Sequence, residues 1–225
     1  MSVSDDELRQ TVKLTVNAKA MDVIIRKGES PAVDYENCGP EDFDCVFDQG
    51  KLKIKLNDEE WKRKHPQSSY LGGHLVIKGM GHGGSKDKIY KITLTLPTLE
   101  RIKIKASAST VTVSGQTLQK ARVRCDASKV KFVNTQARTI DFTVNAGKIT
   151  ARDLNLEKDS TFEANAGKIK LTGCLIPEAG YDIHSVMSTV TVPGGNGSSS
   201  GHGHYVRKGS PVLTGTANLA SVSIS

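Results

Sequence analysis

The sequence predicts an all-β protein, a single-stranded parallel β-solenoid (β-helix) whose short coils run about 19–21 residues. Three observations carry that expectation. The six residues "NAGKIT" at 145–150 return as "NAGKIK" at 165–170. Apolar residues alternate with polar ones, the period of a strand with one buried face. The alternation also keeps its phase from one repeat to the next, which a β-sandwich built of independent strands has no reason to do.

With Ile149 and Ile169 as anchors, the frame extends to Val111, Val130, Val190 and Val222, at spacings of 19, 19, 20, 21 and 32 residues. Seven positions before the anchor stand Ile104, Val123, Phe142, Phe162 and Ile183, and two positions after it Val113, Phe132, Ala151, Leu171, Val192 and Ile224. Five before it stand Ala106, Cys125, Val144, Ala164 and Ser185. One unit buries too little apolar surface alone, so successive units are expected to stack at about 4.8 Å. Three before the anchor, Ala108, Ala127, Ala146, Ala166, Met187 and Leu219 are all apolar and are expected to form an inward column at a tight corner. Gly147 and Gly167, which follow two of them, are expected to supply the unusual backbone angle there.

The preceding region fits more loosely. Residues 1–10 read as a polar N-terminal segment, and 11–225 as one solenoid domain with insertions at 57–70, 79–88 and 194–204. Ala18, Met21 and Val23 take the corner frame, while "GKLKIKL", "HLVIK" and "YKITLTLP" read as further strands. "NDEEWKRKHPQSS" begins as a short helix that Pro66 stops. The Gly/Ser-rich stretch 194–204 reads as a flexible loop that delays the last coil. Repeat arithmetic gives roughly nine or ten coils.

"VNAKAMDVII", "LTLPTLERIKIKASASTVTVSG", the "NAGKI" corners and the closing "ANLASVSIS" together resemble the bacterial "putative adhesin" family of β-solenoid domains, a family of unknown function. The resemblance covers most of 11–225 and is strongest from 90 to 192. It implies a coiled β architecture and a non-enzymatic, often envelope-associated role, with no catalytic residues to carry over. The N-terminus departs from it: "MSVSDDELRQ" is acidic and polar, and no run approaches the roughly 18 apolar residues of a membrane span. The expectation is a cytoplasmic chain, or a cell-envelope protein if a signal or anchor belongs to a longer version of it.

Chemical motifs are sparse. "GMGHGG" at 79–84 matches a dinucleotide-binding pattern but is followed by a strand instead of the helix that would hold the phosphates. Cys38, Cys45, Cys125 and Cys174 show no zinc-type spacing. Cys125 reads as a core residue, and Cys38 and Cys45 could bridge a loop in an oxidising compartment. His184, His202 and His204 suggest adventitious metal binding at most, and neither a resident metal nor a cofactor is expected. Asp126, Asp141, Asp153 and Glu163 fall at different phases and should not converge into a catalytic set.

Charge is the strongest signal. Residues 98–176 hold 14 Lys and Arg against 7 Asp and Glu. Lys129, Lys148 and Lys168 share one outward phase, and Lys131 and Lys170 the next. Such a ladder suits an anionic glycan or an anionic membrane surface; nucleic acid fits poorly because aromatic residues for base stacking are missing beside it. Three functional classes stay open: a non-catalytic scaffold or binding module, an envelope-stress or regulatory protein docking a protein partner, and a carbohydrate-active enzyme.

Overall fold

The computed structural model of the chain describes residues 3–64, 68–71, 74–77, 89–193 and 195–225. The alternating repeats stack side by side as parallel ladders on two faces that meet at the corner. On the first face lie, in spatial order, Lys51–Leu56, Lys13–Lys19, Arg101–Ser107, Lys120–Asp126, Ile140–Asn145, Ser160–Asn165, Val212–Asn218 and the first half of Gly180–Val192. On the second face the order is Tyr90–Leu96, Met21–Lys27, Thr110–Ser114, Lys129–Val133, Lys148–Arg152, Lys168–Thr172, Ser221–Ile224 and the second half of Gly180–Val192. The described residues thus form eight rungs, fewer than repeat arithmetic suggests, because the N-terminal insertions build end pieces instead of coils.

Phase is kept throughout the interior. Ile149 pairs with Ile169, and the column continues through Ile92, Val23, Val111, Val130, Val222 and Val190, none more than 1% exposed. The neighbouring column varies more in size, with Val113 in register with Phe132 and Ala151 with Leu171, and the Phe132 ring stacks on Phe142 with centroids 5.5 Å apart.

The rung order is not the chain order. Val222 pairs with Ile169, and Val190 pairs with Val222, so the last segment of the chain slips between two earlier ones. The expectation that Ile169, Val190 and Val222 stack consecutively is therefore corrected. Gly180–Val192 forms the outermost rung, and Gly195–Arg207 pairs along it in antiparallel sense. Within the stretch 194–204, expected as a flexible loop, the described residues 195–204 supply most of this covering strand. The reason is the edge: an open rung would expose a row of unpaired backbone groups, and a returning strand satisfies them even where its own composition is glycine-rich.

At the other end Ala32–Glu36 runs antiparallel to Tyr90–Leu96, and Phe43–Asp48 antiparallel to Lys51–Leu56 through a Gln49-Gly50 turn with both φ positive. The protein is all-β and mostly parallel, but its sheet is mixed, which corrects the expectation of purely parallel coils. Within 57–70 the short helix appears as Asp58–Lys64 with Trp61 buried, followed by Ser68–Leu71 paired with His74–Ile77. "GMGHGG" and the rest of 79–88 lie outside the described residues. The N-terminal segment also does more than expected. Ser4 and Glu7 form a capping box on the helix Asp5–Arg9, whose Leu8 is only 1% exposed.

The corner chemistry differs from the sequence expectation. Ala20, Ala108, Ala127, Ala146, Ala166, Met187 and Leu219 have φ between 46° and 51°. From Ala108 onward they project outward, Met187 and Leu219 being 58% and 64% exposed. A left-handed residue turns the chain so sharply that its side chain leaves the core. Gly147 and Gly167 do not carry the positive angle; they lack Cβ because neighbouring rungs press against them. A second left-handed corner follows Val111, Val130, Ile149 and Ile169 by four residues, at Gly115, Asn134, Asp153 and Gly173, residue types that tolerate that conformation.

Polar ladders stitch the rungs together. Asn145 donates to Asp126 at 2.7 Å, Asn165 to Asn145 at 3.2 Å and Asn218 to Asn165 at 3.0 Å. The chain of amides ends on a carboxylate, a group that only accepts. Inside the first corner, the buried Ser128 hydroxyl accepts from the Ser109 backbone at 3.0 Å, and that of Ser188 from Ala220 at 3.0 Å.

Candidate functional site

The second face carries the lysine ladder. Lys129 pairs with Lys148 and Lys148 with Lys168, all exposed. Lys131 and Lys170 share the neighbouring phase but are separated by Thr150, so that row is interrupted. Thr110 and Ser221 flank the ladder, which limits it to three adjacent cations.

The first face is more strongly basic, and sequence reasoning missed it. In one row Lys51, Lys13, Arg101 and Lys120 are in register. Two residues on, Lys53, Lys103 and Arg122 align with Thr15 among them, and the next row holds Lys55, Lys105 and Arg124 with Asn17. Strand alternation explains the arrangement: "KLKIKL", "RIKIKAS" and "KARVRCD" each turn apolar residues inward and cations outward. Part of the signal was available, since "RIKIK" and "KARVR" stand 19 residues apart at the same phase. The contribution of Lys13, Lys51 and Lys53 was not, because it needs the N-terminal strand to be laid beside Arg101–Ser107.

Acidic partners neutralise only the margins. Arg122 meets Asp141 at 2.6 Å, Arg124 meets Asp126 at 3.2 Å and Lys55 meets Asp44 at 2.8 Å. Among the described residues no ion pair engages Lys13, Lys51, Lys53, Arg101, Lys103, Lys105 or Lys120. A depression of about 380 Å³ opens between these rows, lined by Lys13, Lys51, Arg101, Lys103, Lys120 and Arg122, with Leu14, Thr15 and Ile102. Two unit charges a rung apart repel by up to about 0.9 kcal/mol in bulk water, and long side chains splay to reduce it. An anion seated between them converts that repulsion into attraction.

The carboxylates singled out in the sequence are dispersed. Asp126 and Asp141 are tied to arginines, Asp153 forms a corner, and Glu163 accepts from Asn165 at 2.6 Å. All four cysteines are unbridged, and burial raises each thiol above its ordinary range, which disfavours the thiolate. The Tyr35 hydroxyl is pushed up to about 12, chiefly by burial and then by neighbouring Cys45 and Cys38.

The histidines are less scattered than the sequence suggested. His204 lies opposite His184 in the antiparallel pairing, and the carboxylate overlooked beside them is Asp182, two residues before His184. His202 faces Val186 in the register and is not part of this group.

A family model described as Toastrack DUF4097 matches residues 86–210. No curated protein matches the sequence. Solved structures to which it is similar include a "putative cell adhesion protein" from Clostridium sporogenes ATCC 15579, at 11% identity and TM-score 0.45, covering 99% of this chain and 96% of that one. Another is a "putative adhesin" from Bacteroides fragilis NCTC 9343, at 11% identity and TM-score 0.40, covering 97% and 94%. Among the described residues no helix is long and apolar enough to cross a membrane.

Proposed function

The chain belongs to the Toastrack DUF4097 family, and from that premise we propose that it is a non-catalytic solenoid module that binds an anionic polymer, an acidic glycan of the cell envelope, across its first face. The observation that supports this reading is the set of in-register, mostly unpaired cations around the depression at Lys13, Arg101, Lys103 and Lys120. Their spacing is set by the backbone, about 4.8 Å between rungs and about 6.6 Å between alternate residues. Such a grid suits a repeating anion better than a single small one. The lysine ladder of Lys129, Lys148 and Lys168, with Lys131 and Lys170 beside it, is a secondary surface for the same kind of ligand, and an anionic membrane surface would be drawn to either.

Retention on immobilised heparin and on polygalacturonate tests the reading. The native chain should elute at increasing salt, and Lys53→Glu with Lys103→Glu and Lys105→Glu should shorten retention more than Lys129→Glu with Lys148→Glu and Lys168→Glu. Equal retention of all three proteins would overturn it.

A second reading, docking of a protein partner in a regulatory role, is favoured by one observation. Met187 and Leu219 protrude side by side at neighbouring corners, where a solvated ridge would carry polar residues. Capture of a partner that survives both sets of charge reversals and is lost in Met187→Asp with Leu219→Asp would support it. Capture indifferent to those two corner substitutions would contradict it.

A further inference from the structure

We propose that Asp182, His184 and His204 form a binding site for a divalent transition-metal ion, zinc being the natural occupant, and that the ion clasps the covering strand to the end of the stack. Asp182 and His184 are two residues apart on Gly180–Val192 and so project from the same outward face. His204 comes from Gly195–Arg207, directly opposite His184. The three donor atoms lie within 4.8 Å of one another. His204 Nε2 stands 2.8 Å and His184 Nε2 3.5 Å from the same oxygen, Asp182 Oδ1, and the two rings stack with centroids 4.1 Å apart and planes 13° apart.

The donor set selects the class of ion. Two imidazoles and one carboxylate suit zinc, nickel, cobalt or copper, whereas magnesium and calcium prefer oxygen throughout. Tetrahedral zinc with bonds of about 2.0–2.2 Å needs its donors roughly 3.3–3.5 Å apart. The His184 separation already meets that, and the His204 separation must open by about 0.6 Å. Side chains 45–62% exposed can make this adjustment by rotation. Three protein ligands leave one position for water. Because the ligands come from both strands of the hairpin, an ion bound there favours the closed hairpin over any state in which Gly195–Arg207 has peeled away.

The test is isothermal titration of the untagged full chain with zinc, with magnesium as the comparison, alongside thermal unfolding. One zinc per chain should bind and raise the unfolding temperature, and magnesium should do neither. His184→Ala and His204→Ala should each weaken zinc at least tenfold and abolish the thermal shift, while His202→Ala keeps both. The proposal is overturned if zinc fails to bind, if binding survives loss of His184 or His204, if His202→Ala abolishes it equally, or if magnesium binds as well.

Discussion

Replacing Gly147 by Ala tests how closely the rungs approach at the first corner. A Cβ at Gly147 would lie 2.7 Å from the Ser128 carbonyl oxygen and 2.8 Å from Cys125 Sγ, inside any ordinary contact distance. Two of the nearest three atoms are backbone held in the ladder, so the corner must open by about half an ångström, an overpacking cost of about 1–3 kcal/mol. Ala146→Gly, one residue earlier, should behave oppositely. Its φ of 51° costs a non-glycine residue about 1–2 kcal/mol, which glycine relieves, while glycine's greater freedom in the unfolded chain costs about 0.5–1 kcal/mol. The expected net change lies between neutral and about 1.5 kcal/mol stabilising. Urea unfolding of both variants reads the contrast directly. A neutral Gly147→Ala would refute the reasoning, since the corner would then open as freely as it does where Ser128 occupies the same place.

Three further perturbations follow from the packing. Gly215→Ala would drive a Cβ into the Phe162 ring and should destabilise by about 1–3 kcal/mol, with Phe162→Leu in the same chain recovering part of the loss in the same unfolding assay. Asn165→Ala removes the amide shared between Asn145 and Asn218 and should cost about 1–2 kcal/mol; Asn165→Asp, which cannot donate, should be similarly weakened. Lys64 contacts the fully buried Asp42 at 2.7 Å, and Lys64→Met should cost about 2–3 kcal/mol by leaving that carboxylate without a counter-ion and held by the Gly39 N–H at 2.9 Å. Hydrogen bonding to Asp42, and secondarily to Glu41, raises the Lys64 ammonium above its usual range. Its contribution is therefore full below about pH 10.4 and lost as pH rises through the folded value, so the gap between native and Lys64→Met unfolding midpoints should narrow only in strong alkali.

The columns of the core were legible because every rung must present the same kind of side chain at the same place, as Val111, Val130, Ile149 and Ile169 do. Rung order was not, because Val190 and Val222 satisfy the same column equally well and hydrophobic phase does not distinguish their sequence. The alanine corners misled for a related reason. An apolar residue repeated in phase reads as core, yet the left-handed turn at Ala146 throws it outward. The lysine ladder was visible within consecutive repeats. The larger basic face was only half visible, since Lys13 and Lys51 join Arg101 through a spatial insertion. The Asp182 cluster was hidden because the composition of 194–204 predicts a loop, and only the antiparallel return places His204 beside His184.

The site at Asp182, His184 and His204 rests on the stacking order, because only an outermost Gly180–Val192 leaves an edge for the returning strand, and one cross-linking measurement reads that order directly. Lys168 and Ser221 are registered neighbours on adjacent parallel strands, so Lys168→Cys with Ser221→Cys should form a disulfide under mild oxidation, identified by peptide mass spectrometry. Lys168→Cys with Thr189→Cys, two rungs apart through Ser221, should not. Efficient bridging to position 189 and none to 221 would contradict the order described here, and with it the edge pairing that sets His204 beside His184.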